Sequence, residues 1–322
     1  MKRILTGIQC SGNIHLGNIL SVIKPTIELS KKNNNTLVFI ANLHTFTSKK
    51  DTKLINQYLY KAATVWLAMG LDTNKTIFFK QSDIIGICGL TWILNCLTPY
   101  PMLANAHAFK EKSNNLSDIN VGLFNYPVLM ASDILLYQTD LVTVGIDQKQ
   151  HIEIARDLAI KFNNTFNTDL FKIPSELIIE NVKLIPGTDG RKMSKSYNNT
   201  IDIFAEENEL RKEIMSIVTD SKKPEEPKNP DECNIFNIYK NLVDSEELEN
   251  MRSMYINGGL GYKQAKDTLF ELIIDKFKNE REEYNKIKNE IGYIDEILKK
   301  GKLKAQEIAN KTLKKLKEIL YI

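Results

Sequence analysis

The segment Thr36-Leu37-Val38-Phe39-Ile40-Ala41 constrains this chain more than any other. A continuous apolar run of this length, without polar alternation, does not suit a strand with one face in water. It reads as a parallel strand covered by helices on both faces. The flanking segments agree. Arg3 to Ile8 is β-capable and is broken by Ser11-Gly12-Asn13; helical periodicity follows from Leu16 through Glu28. It returns over Leu54 to Met69, Thr76 to Lys80 is a further strand, and Leu141 to Val144 is a short one ending at Gly145. Strands and helices in alternation predict an α/β fold built on a doubly wound parallel sheet.

The pattern changes after Asn199. Ser221 to Pro230 carries three prolines among charges and reads as a loop. From Tyr262 the chain is rich in Lys and Glu, with Leu269, Ile273, Phe277, Ile287, Ile291, Ile294 and Leu298 at helical spacing, and a long last helix runs to Leu320. The economical division is an α/β domain over 1–200, with an inserted helical segment, and an all-helical domain over 201–322. Trp66 and Trp92 sit in apolar helical surroundings and are expected in the core.

Charge alone selects no partner. The net charge is +3, and Gly261 to Ile322 holds 15 Lys and Arg against 11 Asp and Glu. A mildly basic helical tail suits a polyanion, but solvated helix faces look the same. No apolar run is long enough to span a bilayer, and Met1 to Gly7 reads as a strand of the mature fold, not a signal peptide. The cysteines, Cys10, Cys88, Cys96 and Cys233, are scattered without CxxC pairs or neighbouring histidines. That argues against disulfides and structural zinc and for a reducing cytoplasm.

Two segments carry chemistry. Gly12-Asn13-Ile14-His15-Leu16-Gly17-Asn18 lies where the first strand hands over to the first helix, at the carboxyl edge of a parallel sheet. Its glycines let another group approach the backbone, the helix start offers free N–H groups to phosphate, and His15 can donate to an oxygen. By itself such a turn is structural more often than catalytic. The second segment is Lys192-Met193-Ser194-Lys195-Ser196, preceded by Gly187, Asp189 and Gly190. Two lysines three apart on a glycine-flanked loop can swing onto a polyphosphate and neutralise charge as pyrophosphate leaves. A lone K-x-x-K is usually a solvated loop; the pairing of the two segments is what carries the weight.

His15-Leu16-Gly17-Asn18 is similar to the HIGH signature and Lys192 to Ser196 is the KMSKS signature, so the chain resembles the class I aminoacyl-tRNA synthetases. Gly145-Ile146-Asp147-Gln148-Lys149-Gln150-His151 narrows the resemblance to the tyrosyl and tryptophanyl enzymes. Met130 to Tyr137 and Gly7 to Gly12 look tryptophanyl and bacterial in type. Asn18 is usual in that group; Cys10 stands where proline is common, and Asn42 where an acidic residue is.

The resemblance implies a Rossmann-type, HUP-like catalytic domain and a helical domain that reads the tRNA anticodon. It implies catalytic roles for His15, Lys192 and Lys195. ATP would be held by Gln9, Cys10, Ser11, Gly17, Asn18, Lys112, Gly145, Ile146, Asp147 and Ile185, together with Lys192, Met193, Ser194, Lys195 and Ser196. Magnesium would ride on the ATP phosphates, held by nucleotide and water and not by a protein cage. Asp133 would accept from the indole N–H, a donor-only group, with Met130, Tyr126, His44, Gln148 and Gln9 around the substrate. The partners implied are L-tryptophan, tRNA(Trp) and a second copy of the chain. A tyrosyl enzyme is the alternative, although Ile4-Leu5-Thr6-Gly7 offers no pocket tyrosine. A silent RNA-binding relative and a small-metabolite nucleotidyltransferase are more distant alternatives.

Overall fold

A computed structural model describes residues 2–106, 119–145, 148–177 and 185–322. The strands are β1 (Ile4–Ile8), β2 (Thr36–Ile40), β3 (Thr76–Lys80), β4 (Leu141–Thr143) and β5 (Ser175–Leu177). The longer helices are α1 (Lys24–Lys32), α2 (Thr52–Ala68), α3 (Gly86–Leu97), α4 (Val121–Leu136), α5 (Lys149–Thr165), α6 (Glu207–Met215), α7 (Ser245–Asn257), α8 (Tyr262–Lys276), α9 (Lys278–Ile287) and α10 (Ile291–Leu320). No helix among the described residues is long and apolar enough to cross a membrane.

The chain divides into two bodies. The first holds Met1–Ser11, Pro25–Glu180 and Glu290–Ile322; the second holds Gly12–Lys24 and Asn181–Asn289. The first body is a parallel sheet in the order β3-β2-β1-β4-β5. Every residue of β2 is buried, as its unbroken apolar run requires. On β3 alternate side chains go to opposite faces. Phe78 meets Trp66 of α2, with ring centroids 6.4 Å apart, while Phe79 meets Phe39 and Tyr137 at 5.9 and 5.5 Å. The larger core lies on the Phe79 side, where α3, α4 and α5 contribute Ile87, Leu90, Ile134 and Leu158. Side-chain caps start the helices: Asp51 accepts from Leu54 N–H and Asn120 from Leu123 N–H, both at 3.0 Å. The strand order reverses between β1 and β4, so their carboxyl ends, Gln9 and Gly145, flank the switch point where ligands bind in open α/β sheets.

The boundary expected at residue 200 is not where the chain divides. α10, expected at the end of the helical domain, belongs to the first body and lies on β3. A stripe of small residues explains the docking. Gly301, Ala305, Ala309 and Thr312 are buried along one side of α10, and a Cβ at Gly301 would fall 1.7 Å from the Phe78 carbonyl oxygen. Conversely, the Gly12–Lys24 stretch groups with the second body. There Leu16 N–H donates to the Ile201 carbonyl at 2.8 Å, tying the first helical turn to the stretch after the lysine loop. The second body is otherwise helical. Arg211 of α6 pairs with Asp267 of α8 at 2.5 Å and stacks on Phe270, and Phe204 stacks on Tyr284 of α9.

Trp66 is buried, as expected, but Trp92 is 72% exposed. It lies on the outer face of α3, with Ile85, Cys88, Gly89 and Cys96, all exposed. The inner face of the helix, Ile87, Leu90 and Leu94, fills the core. Apolar character all round a helix does not tell which face is inside.

Candidate active site

In the first body a buried carboxylate is set among donors. Asp133 lies in the middle of α4 and is 1% exposed. His44 Nε2 is 2.9 Å from its Oδ2, and the Gln81 amide donates to Oδ1 and Oδ2 at 2.9 and 2.8 Å. Burial pushes the Asp133 carboxyl up, and the bonds from His44 and Gln81 pull it back down. Gln81 is itself wholly buried, and its Oε1 accepts from Leu43 N–H at 3.0 Å. Asn42 and Ser82 exchange two further bonds beside it, so the residue standing in the usual acidic position clamps this corner.

The Tyr126 ring stands edge-on to His44 with centroids 6.2 Å apart, and its hydroxyl is 2.8 Å from His151 Nε2. Gln9, just past β1, donates through its amide to the His44 carbonyl at 2.9 Å. Met130, half-buried one turn before Asp133, packs against the core. The structure thus brings Gln9, His44, Tyr126 and Asp133 into one network. Gln81 and His151 join it without having been singled out as site residues. A glutamine directly after a strand, at the carboxyl edge of the sheet, was the available signal for Gln81.

Other expected ligands of this body sit at strand ends. Cys10 is wholly buried with its thiol 3.3 Å from Thr45 Oγ1, so its side chain serves packing. Ser11 ends the first segment of this body. Gly145 follows β4, and its carbonyl accepts from Gln148 N–H at 2.9 Å. Gln148 caps the start of α5. Lys112, Ile146 and Asp147 lie outside the described residues.

The second body joins the two motif segments. His15 caps the first helical turn: its Nδ1 accepts from Asn18 N–H, and Asn18 Oδ1 accepts from His15 N–H, each at 3.3 Å. Asn18 in place of histidine therefore has a structural task. Burial, then the charges of Lys195 and Lys192, push the His15 imidazole down to about 3. The ring is neutral at physiological pH. Because Nδ1 accepts, the ring proton is assigned to Nε2, a neutral donor. At Gly17 a Cβ would press within 3.0 Å of the His15 ring, so the glycine keeps the imidazole in place.

The lysine loop packs on this turn. The Met193 side chain is buried, and Gly17 N–H points to its sulfur at 3.4 Å. Met193 N–H donates to the Ile185 carbonyl at 2.9 Å, which ties the lysine loop to the backbone at Ile185. Ser194 caps a short turn by accepting from Ser196 N–H at 3.3 Å. Lys192 is exposed, while Lys195 is half-buried and donates from Nζ to the Gly12 carbonyl at 2.9 Å. Two cations and a neutral imidazole donor, on a glycine-lined turn, suit a polyphosphate.

Comparison with known proteins agrees with this chemistry. The family model for tRNA synthetases class I (W and Y) matches residues 1–278. A tryptophan–tRNA ligase of Campylobacter jejuni is 44% identical over 98% of both chains, and one of Fusobacterium nucleatum is 41% identical over 99% of this chain and 98% of its own. The crystal structure of the tryptophanyl-tRNA synthetase from Campylobacter jejuni complexed with ADP and tryptophan superposes with a TM-score of 0.92 at 43% identity. The match covers 99% of this chain and all of that one. These relatives select the tryptophanyl and not the tyrosyl branch. This chain belongs to the tryptophanyl branch of the class I aminoacyl-tRNA synthetases.

Proposed function

We propose that the chain activates L-tryptophan with ATP and transfers it to tRNA(Trp), with Asp133, His15, Lys192 and Lys195 as the residues that decide the outcome. The observation that carries this reading is the buried Asp133 carboxylate, held by His44 and Gln81 with lone pairs left over. Indole N–H can only donate, and a substrate lacking it would leave a buried acceptor unpaired.

In the first step a tryptophan carboxylate oxygen attacks the α-phosphorus of ATP. The bond to the bridging oxygen breaks and pyrophosphate leaves, giving tryptophanyl-adenylate. In the second step a terminal ribose hydroxyl of the tRNA attacks the acyl carbon and AMP leaves. No side chain need become covalent; orientation and neutralisation of charge suffice. His15 donates from Nε2 to a nucleotide oxygen without adding charge of its own. Lys192 and Lys195 take up negative charge on the departing pyrophosphate. Gln9, Ser11, Gly17, Asn18 and Gly145 are proposed to hold ATP through backbone and amide groups, Ile146 and Asp147 its adenine and ribose, and Lys112 a further phosphate oxygen. Met130, Tyr126, His44 and Gln148 complete the substrate pocket.

Magnesium is proposed to arrive on ATP. The donor set supports this: the phosphate-side residues are cations and neutral donors.

A second copy of the chain is proposed to cover the outer face of α3. Supporting this, Ile85, Cys88, Gly89, Trp92 and Cys96 are exposed on one helix face, and no charged residue occurs from Ile84 to Tyr100. Trp92→Glu should convert a dimer to a monomer in sedimentation. The helical segments after residue 200 are proposed to read the anticodon, in a cytoplasmic enzyme. Supporting this is the basic excess beyond Gly261. Charging should then fall steeply with salt and with anticodon changes, while activation of free tryptophan should not.

The assay for the central reading is amino-acid-dependent exchange of pyrophosphate into ATP across all twenty amino acids. Tryptophan should support it, and Asp133→Asn should lose roughly tenfold to several hundredfold in kcat/KM for tryptophan. Exchange with another amino acid, or an unaffected Asp133→Asn variant, would refute the assignment.

A further inference from the structure

The lysine loop is held by a residue outside its signature. Asn199 is 2% exposed, and its side chain turns back into the loop. Oδ1 accepts from Ser194 N–H at 2.8 Å, and Nδ2 donates to the Lys192 carbonyl at 3.1 Å and to Asp189 Oδ1 at 2.6 Å. Both amide hydrogens are committed. The Asn199 carbonyl accepts from Thr188 N–H at 2.9 Å, and Gly187 leaves the room: a Cβ there would fall 2.3 Å from the Asn199 amide.

Asp189 extends the clasp. It accepts from Arg191 N–H at 3.0 Å and from its Nε at 2.7 Å, while the Arg191 guanidinium lies 4.4 Å over the Tyr197 ring. The Asn199 amide first, and then Arg191, hold the Asp189 carboxyl below its usual range. Asn198 makes the turn possible by adopting a left-handed conformation, with φ 52°.

We propose that Asn199 is the positioning residue of the lysine loop: bonding the peptide groups on either side of Met193, it sets the separation and direction of Lys192 and Lys195. The two bonded groups, the Lys192 carbonyl and the Ser194 N–H, flank Met193, whose side chain packs on the Gly17 turn. Without them the peptide groups on both sides of Met193 lose their side-chain tie, and the Met193 N–H bond to Ile185 and the Ser194 turn are left to hold the backbone there. A displacement of about 1 Å at a charge-stabilising group is enough to lose most of its effect on a transition state. Asn199 touches no substrate on this reading and acts through the lysines. The inference rests on the proposed synthetase activity for its kinetic readout but not for its structural one.

The test uses full-length protein with Asn199→Ala, Asn199→Asp and the exchanged pair Asp189→Asn with Asn199→Asp. Asn199→Asp sets two carboxylates against each other and an acceptor against the Lys192 carbonyl. The exchanged pair relieves the first conflict and still accepts from Ser194, but does not restore the bond to Lys192. In tryptophan-dependent pyrophosphate exchange, Asn199→Ala should lower kcat about tenfold to a hundredfold, with KM for tryptophan within about twofold of wild type. Asn199→Asp should be worse, and the exchanged pair should recover part of that loss while staying below wild type, since the bond to the Lys192 carbonyl is absent from both. Unchanged kcat, equal losses in kcat and tryptophan binding, or an exchanged pair as active as wild type would overturn the proposal. Trypsin cleavage at Arg191 and Lys192, without any substrate, gives the second readout: faster in Asn199→Ala if the clasp holds the loop. If wild type exchanges with no amino acid, the functional reading fails, and equal cleavage rates would separately sink the clasp.

Discussion

Gln81→Leu removes the partner that most directly supports the proposed specificity carboxylate. The glutamine is wholly buried and bonds both oxygens of Asp133 and the N–H of Leu43. Leucine is similar in volume, so little cavity follows; what is lost is hydrogen bonding. Among the described residues only His44 then still bonds the Asp133 side chain, and a buried carboxylate loses a charge-assisted bond of roughly 1.5–3 kcal/mol. Burial already pushes this carboxyl up. Removing a bond that favours the ionised form pushes it further, since each 1.36 kcal/mol corresponds to about one pKa unit.

Below the new titration the carboxyl is protonated, so it competes as a donor with the indole N–H instead of accepting from it. The acidic limb of kcat/KM for tryptophan should therefore move up by about one to two pH units. Tryptophan should lose efficiency on the acid side of the shifted limb and regain it as pH rises past that limb. The assay is pyrophosphate exchange from pH 6 to 9, with the KM for ATP as control. An unmoved limb, or a loss independent of pH, would refute the argument that Gln81 keeps Asp133 an acceptor. The orphaned Leu43 N–H adds about 1–3 kcal/mol to the cost in stability, read separately by denaturant unfolding.

Three further outcomes follow from other parts of the molecule. Lys195→Ala should depress kcat for activation far more than it raises KM for tryptophan, because its charge is needed most as pyrophosphate departs; normal kcat with weakened ATP binding would contradict this. Gly301→Ala should destabilise the protein by about 3 kcal/mol, seen as a lowered Tm, because its methyl would overlap the Phe78 carbonyl unless α10 lifts from β3. Glu213, which accepts from Asp202 N–H at 2.7 Å, is pushed up to about 7, by burial first and then by the charges of Asp202 and Glu209. Its folded carboxyl binds a proton more tightly than its unfolded one, so it lowers stability as pH rises from about 4.5 to 7. Glu213→Gln should flatten that part of the stability profile, by roughly 1 kcal/mol for a group still partly in solvent; an unchanged slope would exclude it.

The parallel sheet and the two motif segments were legible along the chain because each rests on local chemistry. An unbroken apolar run such as Thr36 to Ile40 must be covered on both faces wherever it lies. The glycine-flanked signatures state their backbone freedom and charge directly. Asp133 was singled out only through the resemblance of Met130 to Tyr137, because a helix carboxylate by itself is more often paired with a lysine. What the chain could not state alone were partners brought together by folding. Gln81 reaches Asp133 across 52 positions, and Asn199 earns its role only through bonds back to Asp189, Lys192 and Ser194. Neither glutamine nor asparagine has a periodicity or charge that marks it in advance. Trp92 and α10 were misplaced for a related reason. Apolar periodicity shows that a face is buried by something, and only tertiary packing decides what covers it. For α10 that choice was made by Gly301, whose missing side chain lets the helix meet the backbone of β3.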